Sequence, residues 1–223
     1  MQVVALDVET ANSSRGSICA LSVVSRAFGA RTWLVRPEPC YFAPVNVGIH
    51  GIREEHVANA PTIHEVFREL APLVRDVTVV AHNASFDIGA LVASARASAA
   101  TRGDSPEQRV VESLAPPDLN FTCSLAIARR AWPNLSAFDL YSLCAAFGID
   151  LTHHDATSDA WASLAIVERA LVERRCATLD ELHAALGLAT HALCRWLRGT
   201  DRGSAAVEDP SGDRGLVRGG SVG

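Results

Sequence analysis

The opening run QVVALDV (2–8) constrains the fold most, because it is apolar on both alternating sets of positions until acids end it. A strand with two apolar faces must be covered on both sides, as the central strands of α/β sheets are. Positions two apart share a face in a strand, so Asp7 and Glu9 project side by side from its end. Crowding two carboxylates in a low-dielectric setting costs free energy. Either the strand has already ended and both acids are solvated, or they share a cation.

The rest of the pattern fits such a sheet. Segments 17–26 and 30–36 are rich in β-formers and separated by Ala27, Phe28 and Gly29, which predicts a hairpin. Pro37, Pro39 and Pro44 then break regular structure. Segment 61–75 starts after Ala60 with Pro61-Thr62 and places apolar residues at 63, 66, 67, 70, 73 and 74, a helical period. Residues 77–82 (VTVVAH) read as a second buried strand, Asn83–Ser85 as a turn, and 86–97 as a helix. Beyond a polar loop at 99–116 come a short strand near 119–122 and helices near 124–131 and 137–147. A long helix over 157–175 is expected to be capped by Thr157 or Ser158. One or two short helices are expected over 179–197. The predicted class is α/β, a mixed β-sheet flanked by α-helices with antiparallel leading strands. From Gly199 onward Gly, Ser, Asp and Arg dominate, which predicts disorder.

The chemistry-bearing residues fall at the ends of these elements. Asp87 follows the strand 77–82 in the first turn of the next helix, where an acid also offsets the helix dipole. Asn83 reads first as a turn residue and Phe86 as a core residue. In HHDATSD (153–159), Asp159 opens the long helix and His154 precedes it in a loop. Each element alone has a structural explanation. Together, four carboxylates at two strand ends and two helix starts would converge on one edge of a sheet. Their mutual repulsion calls for hard divalent cations, Mg²⁺ or Mn²⁺ rather than zinc. A pair of such ions clamps the attacking water and leaving oxygen of a displacement at phosphorus. A neutral imidazole, His154, supplies the general base.

Net charge of −5 counts against tight coating of long duplexes. However, the chain contains no lysine, so its twenty basic residues are all arginine, the better bidentate phosphate ligand. The six cysteines form no C-x-x-C pair and read as reduced thiols. The N-terminal MQVVALD lacks the basic start of a signal peptide. Apolar stretches are all shorter than the ~20 residues of a membrane span. The expected location is cytoplasmic, with no membrane partner.

The segments ALDVET (5–10), IHGI (49–52), VVAHNASFD (79–87) and HHDATSDA (153–160) resemble the DEDD exonucleases. The H-x-x-x-x-D spacing from His154 to Asp159 matches the DEDDh (DnaQ-like) branch, which includes the proofreading epsilon subunit of bacterial DNA polymerase III and ribonuclease T. The sister branch would place Tyr where this chain has Asp155. The resemblance covers roughly residues 2–172 and implies a ribonuclease H-like sheet and 3′→5′ hydrolysis. It implies that Asp7, Glu9 and Asp159 hold one metal, that Asp7 and Asp87 hold a second, directly or through water, and that His154 is the base. It further implies that Thr10 and Ala11 offer backbone contacts to the terminal nucleotide, and that Ile49 and His50 pack against its base or sugar. Asn83 and Phe86 join these as candidate substrate contacts. FTCSLAIARRAWPNLSAFDLYSLC (121–144) looks closer to stand-alone epsilon-like exonucleases, and the chain end resembles no polymerase-binding segment. The expected substrate is the 3′ end of a single strand, with DNA favoured over RNA trimming and a catalytically silent nucleic-acid-binding module as a lesser alternative. The expected organisation is a catalytic domain over 1–175, a short helical extension over 176–199 and a tail over 200–223.

Overall fold

The computed structural model describes residues 3–100, 119–152 and 154–192; most of the expected loop 99–116, His153 and the tail 200–223 lie outside the described residues. Six strands form one sheet in the order β3-β2-β1-β4-β5-β6. They are β1 (Val3–Thr10), β2 (Ile18–Ser25), β3 (Gly29–Leu34), β4 (Thr78–Ala81), β5 (Asn120–Cys123) and β6 (His191–Ala192). The first three form the expected antiparallel meander, turning at Arg26–Phe28 into Gly29, whose φ of 80° suits glycine. β4 and β5 extend the sheet in parallel with β1, and β6 closes that side antiparallel to β5. The sheet is therefore mixed, with β1 near its centre.

Alternation along β1 sorts its side chains between two helical layers. Val4, Leu6 and Val8 pack on one face with α3 (Ile63–Val74) and α4 (Ala84–Ala100). Ala5 faces the other layer, which is built from α5 (Ser124–Ala131), α7 (Ala156–Arg174) and α8 (Leu179–Leu186). Between α5 and α7, α6 (Leu140–Phe147) adds Leu140 and Leu143 to a third, smaller cluster. Helix α3 shows how the sequence sets this up. Ile63, Val66, Phe67, Leu70 and Val74 recur at helical spacing and are all buried. Its start is fixed by a capping box in which Thr62 N–H donates to Glu65 Oε2 at 2.7 Å.

The observed elements depart from expectation in four places. Pro44 opens a helix, α1 (Pro44–His50), because a proline at the first helical position needs no N–H partner and already has helical φ. A one-turn helix, α2 (Glu54–Val57), follows it. The cap of α7 is Asp155, whose side chain accepts from Ser158 N–H at 2.8 Å, rather than Thr157 or Ser158. Over the described residues 179–192 one helix forms and is followed by β6, while 193–197 lie outside the described residues. Helix α8 turns Leu179, Leu182 and Leu186 into the same core as α7. No helix among the described residues is long and apolar enough to cross a membrane. Cys19, Cys40, Cys123, Cys144 and Cys176 are free thiols.

Phe67 is among the largest fully buried side chains. Phe67→Ala should cost about 3–5 kcal/mol. Urea titration checks this, with a lower midpoint and an unchanged slope expected.

Candidate active site

Asp7 and Glu9 share the face of β1 that Ala5 turns towards α7, opposite Ser22 and Ala20 of β2. The register shifts between Glu9 and Thr10, a bulge that ends regular pairing just past the second acid. β4 pairs with β1 only over Val3–Ala5, so β1 runs on beyond its parallel neighbour. The N–H of Val8 donates instead to Asp87 Oδ1 at 3.2 Å. Asp87 is 2% exposed and lies in the first turn of α4. That helix starts from Asn83, which holds a left-handed φ of 60° and accepts from Phe86 N–H at 2.8 Å. Asparagine tolerates this conformation better than most residues, so the turn residue sets where Asp87 arrives.

The last two residues come from the start of α7. His154 also has a left-handed φ, 64°, and its backbone N–H donates to Asp159 Oδ2 at 3.3 Å. Asp159 is 5% exposed and on the first turn. Ligand atoms of Glu9, His154 and Asp159 lie within 4.8 Å of one another. Asp7 and Asp87 join this group electrostatically. Burial, then Asp87, Asp159, Glu9 and Asp155, pushes the Asp7 carboxyl well above its usual range. Asp87 is raised by burial and by Glu9 and Asp159, against the lowering effect of backbone N–H donors including Val8. Burial, then Asp159 and Asp155, raises Glu9 to about 8. All five residues thus meet at one end of β1.

Several supporting residues were not legible as functional. Ser22 Oγ, Thr32 Oγ1 and Thr157 Oγ1 form a hydroxyl ring with sides of 2.9, 2.7 and 3.3 Å. It ties the first turn of α7 to β2 and β3, beside Asp7. His82 Nε2 meets the Phe138 carbonyl at 3.0 Å, which only a protonated nitrogen can do, so Nδ1 accepts from Ser124 at 2.9 Å. Burial lowers its pKa to about 4, and the neutral ring clamps the strand end before Asn83. Asp155 carried a sequence signal, an acid three residues before Ser158, that marks a helix cap.

The expected substrate contacts divide by their surroundings. Ala11 is buried, its N–H donating to Ser17 O at 2.8 Å and its carbonyl accepting from Ala43 N–H at 2.8 Å. The Thr10 carbonyl accepts from Asn46 Nδ2 at 2.9 Å and meets His50 Nε2 at 3.2 Å. His50 Nδ1 accepts from Ile52 N–H at 3.0 Å, so both ring nitrogens have protein partners. Ile49 is 47% exposed. Asn83 is exposed, and Phe86 packs partly into the core with the Arg15 guanidinium 5.7 Å from its ring centre.

Comparison with known proteins agrees with this geometry. The family model described as "Exonuclease" (RNase_T) matches residues 4–167. The chain belongs to this exonuclease family. The DNA polymerase III epsilon subunit of Escherichia coli is 32% identical over 147 residues, covering 64% of this chain and 56% of that subunit. The chain therefore spans about half of that relative, and 6% to 9% of the PolC-type polymerases it also matches. Exonuclease X in complex with 5′ overhanging duplex DNA superposes with a TM-score of 0.59 at 22% identity, covering 82% of this chain and 99% of that one. The nuclease domain of 3′hExo, a DEDDh family member bound to rAMP, gives a TM-score of 0.60 at 14% identity, covering 78% and 92%. The fold is the ribonuclease H-like sheet of these exonucleases.

The donor set fits divalent metal. Several hard carboxylate oxygens with raised pKa values are protonated or strained when gathered alone, and cations relieve both. The sign for stability follows. Carboxyls with raised folded pKa values bind more protons in the folded than in the unfolded chain, so metal-free stability falls as pH rises from about 4.5 to about 8. Thermal melts in chelator should show a lower Tm at pH 8 than at pH 5.5, and Asp7→Asn should narrow the gap. An unchanged gap in that variant would mean the acids do not interact.

Proposed function

We propose that the chain is a two-metal-ion 3′→5′ exonuclease that removes nucleoside monophosphates from the 3′ end of single-stranded nucleic acid, with DNA favoured. The observation that carries this is the gathering of Glu9, His154 and Asp159 within 4.8 Å, beside Asp7 and Asp87 whose carboxyls are driven up. Membership of the exonuclease family supports the same chemistry.

In this reading Asp7, Glu9 and Asp159 hold one Mg²⁺ or Mn²⁺, and Asp7 with Asp87 holds the second. When bound, the two ions supply Lewis acidity at phosphorus and make a neighbouring water more acidic. The His154 imidazole takes the proton of the attacking water. Oxygen of that water bonds to phosphorus as the bond from phosphorus to the 3′ oxygen of the preceding nucleotide breaks. Asp159 accepts from the His154 backbone, which holds the turn so that the ring stays beside the carboxylates. Asp87, tied to Val8 N–H, offers its second oxygen from a fixed position. The catalytic unit is residues 1–175, with α8 and β6 packed onto it. Free thiols at all five described cysteines suit a reducing cytoplasm.

RNA trimming is the second reading, favoured by the rAMP bound to 3′hExo as against the DNA bound to Exonuclease X. Matched DNA and RNA oligonucleotides digested side by side distinguish them through the 2′-hydroxyl.

Mononucleotides should be released with Mn²⁺ and not after chelation; chelator-resistant release would overturn the metal assignment. Asp7→Ala should abolish turnover while the protein stays folded. His154→Ala should lower kcat by roughly 10²–10⁴-fold with metal binding retained. Calorimetric loss of metal binding in that variant would make His154 a ligand instead of a base.

A further inference from the structure

Helix α1 leaves apolar side chains on its outer side. Surface helices bury an apolar stripe and expose polar residues, yet α1 buries none of its residues. Its half-buried side carries Val47 together with Asn46 and His50, four apart and so on one face, which both meet the Thr10 carbonyl. Its outward contacts are apolar. Val45 and Ile49, also four apart, are 69% and 47% exposed, and Tyr41 just before the helix is 59% exposed. An exposed large aromatic beside two exposed aliphatics is a patch that needs explaining.

The ledge is fastened to the end of β1. Ala43 N–H donates to the Ala11 carbonyl at 2.8 Å, and Asn12 Nδ2 donates to the Tyr41 carbonyl at 2.8 Å. Thr10, Ala11 and Asn12 directly follow Glu9, so the ledge adjoins the carboxylate site. At about 3.3 Å per strand residue, it lies within a few nucleotides' reach of Glu9. Nucleotides preceding one held at that site are within reach of the ledge. The acids repel phosphates there, whereas the uncharged faces of bases suit an aromatic and aliphatic surface.

Resting on the exonuclease reading, we infer that Tyr41 and Val45 form a base-stacking ledge that grips the unpaired nucleotides preceding the scissile one. The ledge takes any base, because stacking uses the π-face that all share. It excludes a paired strand, since bases in a duplex have no free face to offer. The surface thus makes the enzyme selective for single strands of at least two or three nucleotides.

The test compares a single-stranded DNA decamer with the nitrophenyl ester of thymidine monophosphate, which has no preceding base. Both are assayed with Mn²⁺ using the full chain, Tyr41→Ala, and the milder Tyr41→Phe. The ratio of kcat/KM on the decamer to that on the ester should fall on the order of 10-fold in Tyr41→Ala and be preserved in Tyr41→Phe. Placing abasic sites at the second and third positions from the 3′ end should reduce the wild-type ratio to that of Tyr41→Ala. An unchanged ratio in Tyr41→Ala overturns the ledge. So does an equal loss on both substrates, which would mean a disturbed site. If Tyr41→Ala instead dissociates a dimer in sedimentation with the ratio kept, the ledge belongs to a second copy and the inference fails. Wild-type protein that cleaves neither substrate sinks the exonuclease reading itself, a result distinct from these.

Discussion

Repulsion among carboxylates that the fold refuses to separate is the constraint on which the molecule turns. Asp7 and Glu9 sit on one face of a central strand, and the neighbouring helices add Asp87 and Asp159 to the same end. Each would be easier to hold as a charge in water. Held together they favour protons or cations, and Glu9 is pushed as far as about 8. Core packing on both faces of β1 opposes this repulsion, because moving the acids apart would open the cores that Leu6 and Ala5 help to fill. Stability and chemistry therefore pull against each other at one place, as at many functional sites.

Two left-handed residues convert this tension into a defined geometry. Asn83 and His154 each stand before a helix that delivers an acid, and each reverses the chain sharply. At Asn83 the strain is small, since the side chain suits the conformation. At His154 it is larger, and the residue is also the imidazole that joins Glu9 and Asp159. Backbone strain is thus placed beside the carboxylates. Around these turns, neutral polar groups do the bracing. His82 is held uncharged between Ser124 and Phe138, and the Ser22–Thr32–Thr157 hydroxyls anchor α7 without adding charge to an acidic site.

Much of this was legible in the sequence because period and chemistry coincide. QVVALDV announces a buried strand that ends in acids, and α3 has the helical spacing and capping box that specify it. The clustering of Asp7, Glu9, Asp87, His154 and Asp159 could be anticipated because their conjunction has no structural explanation. Less was readable where a residue has two uses. Pro44 breaks a strand and also starts a helix, and only the contacts of Asn46 and His50 to Thr10 decide for the helix. The sequence pointed to Thr157 or Ser158 as the cap of α7, and the structure uses Asp155. Packing decided it, by drawing Thr157 into the hydroxyl ring and leaving Asp155 to accept from Ser158. The two-residue β6 carries no periodic signal, and it forms because β5 offers an edge.

The bond from Val8 N–H to Asp87 has a wider consequence. One rung of the middle strand is completed by a buried carboxylate, where a neighbouring peptide would ordinarily serve. Assembly of the scaffold and assembly of the charge cluster are consequently a single event. Replacing Asp87 with an aliphatic residue would remove a carboxylate from the cluster and would also leave the buried Val8 amide without this partner. The acid is therefore held by the architecture of the sheet as well as by its place in the charge cluster.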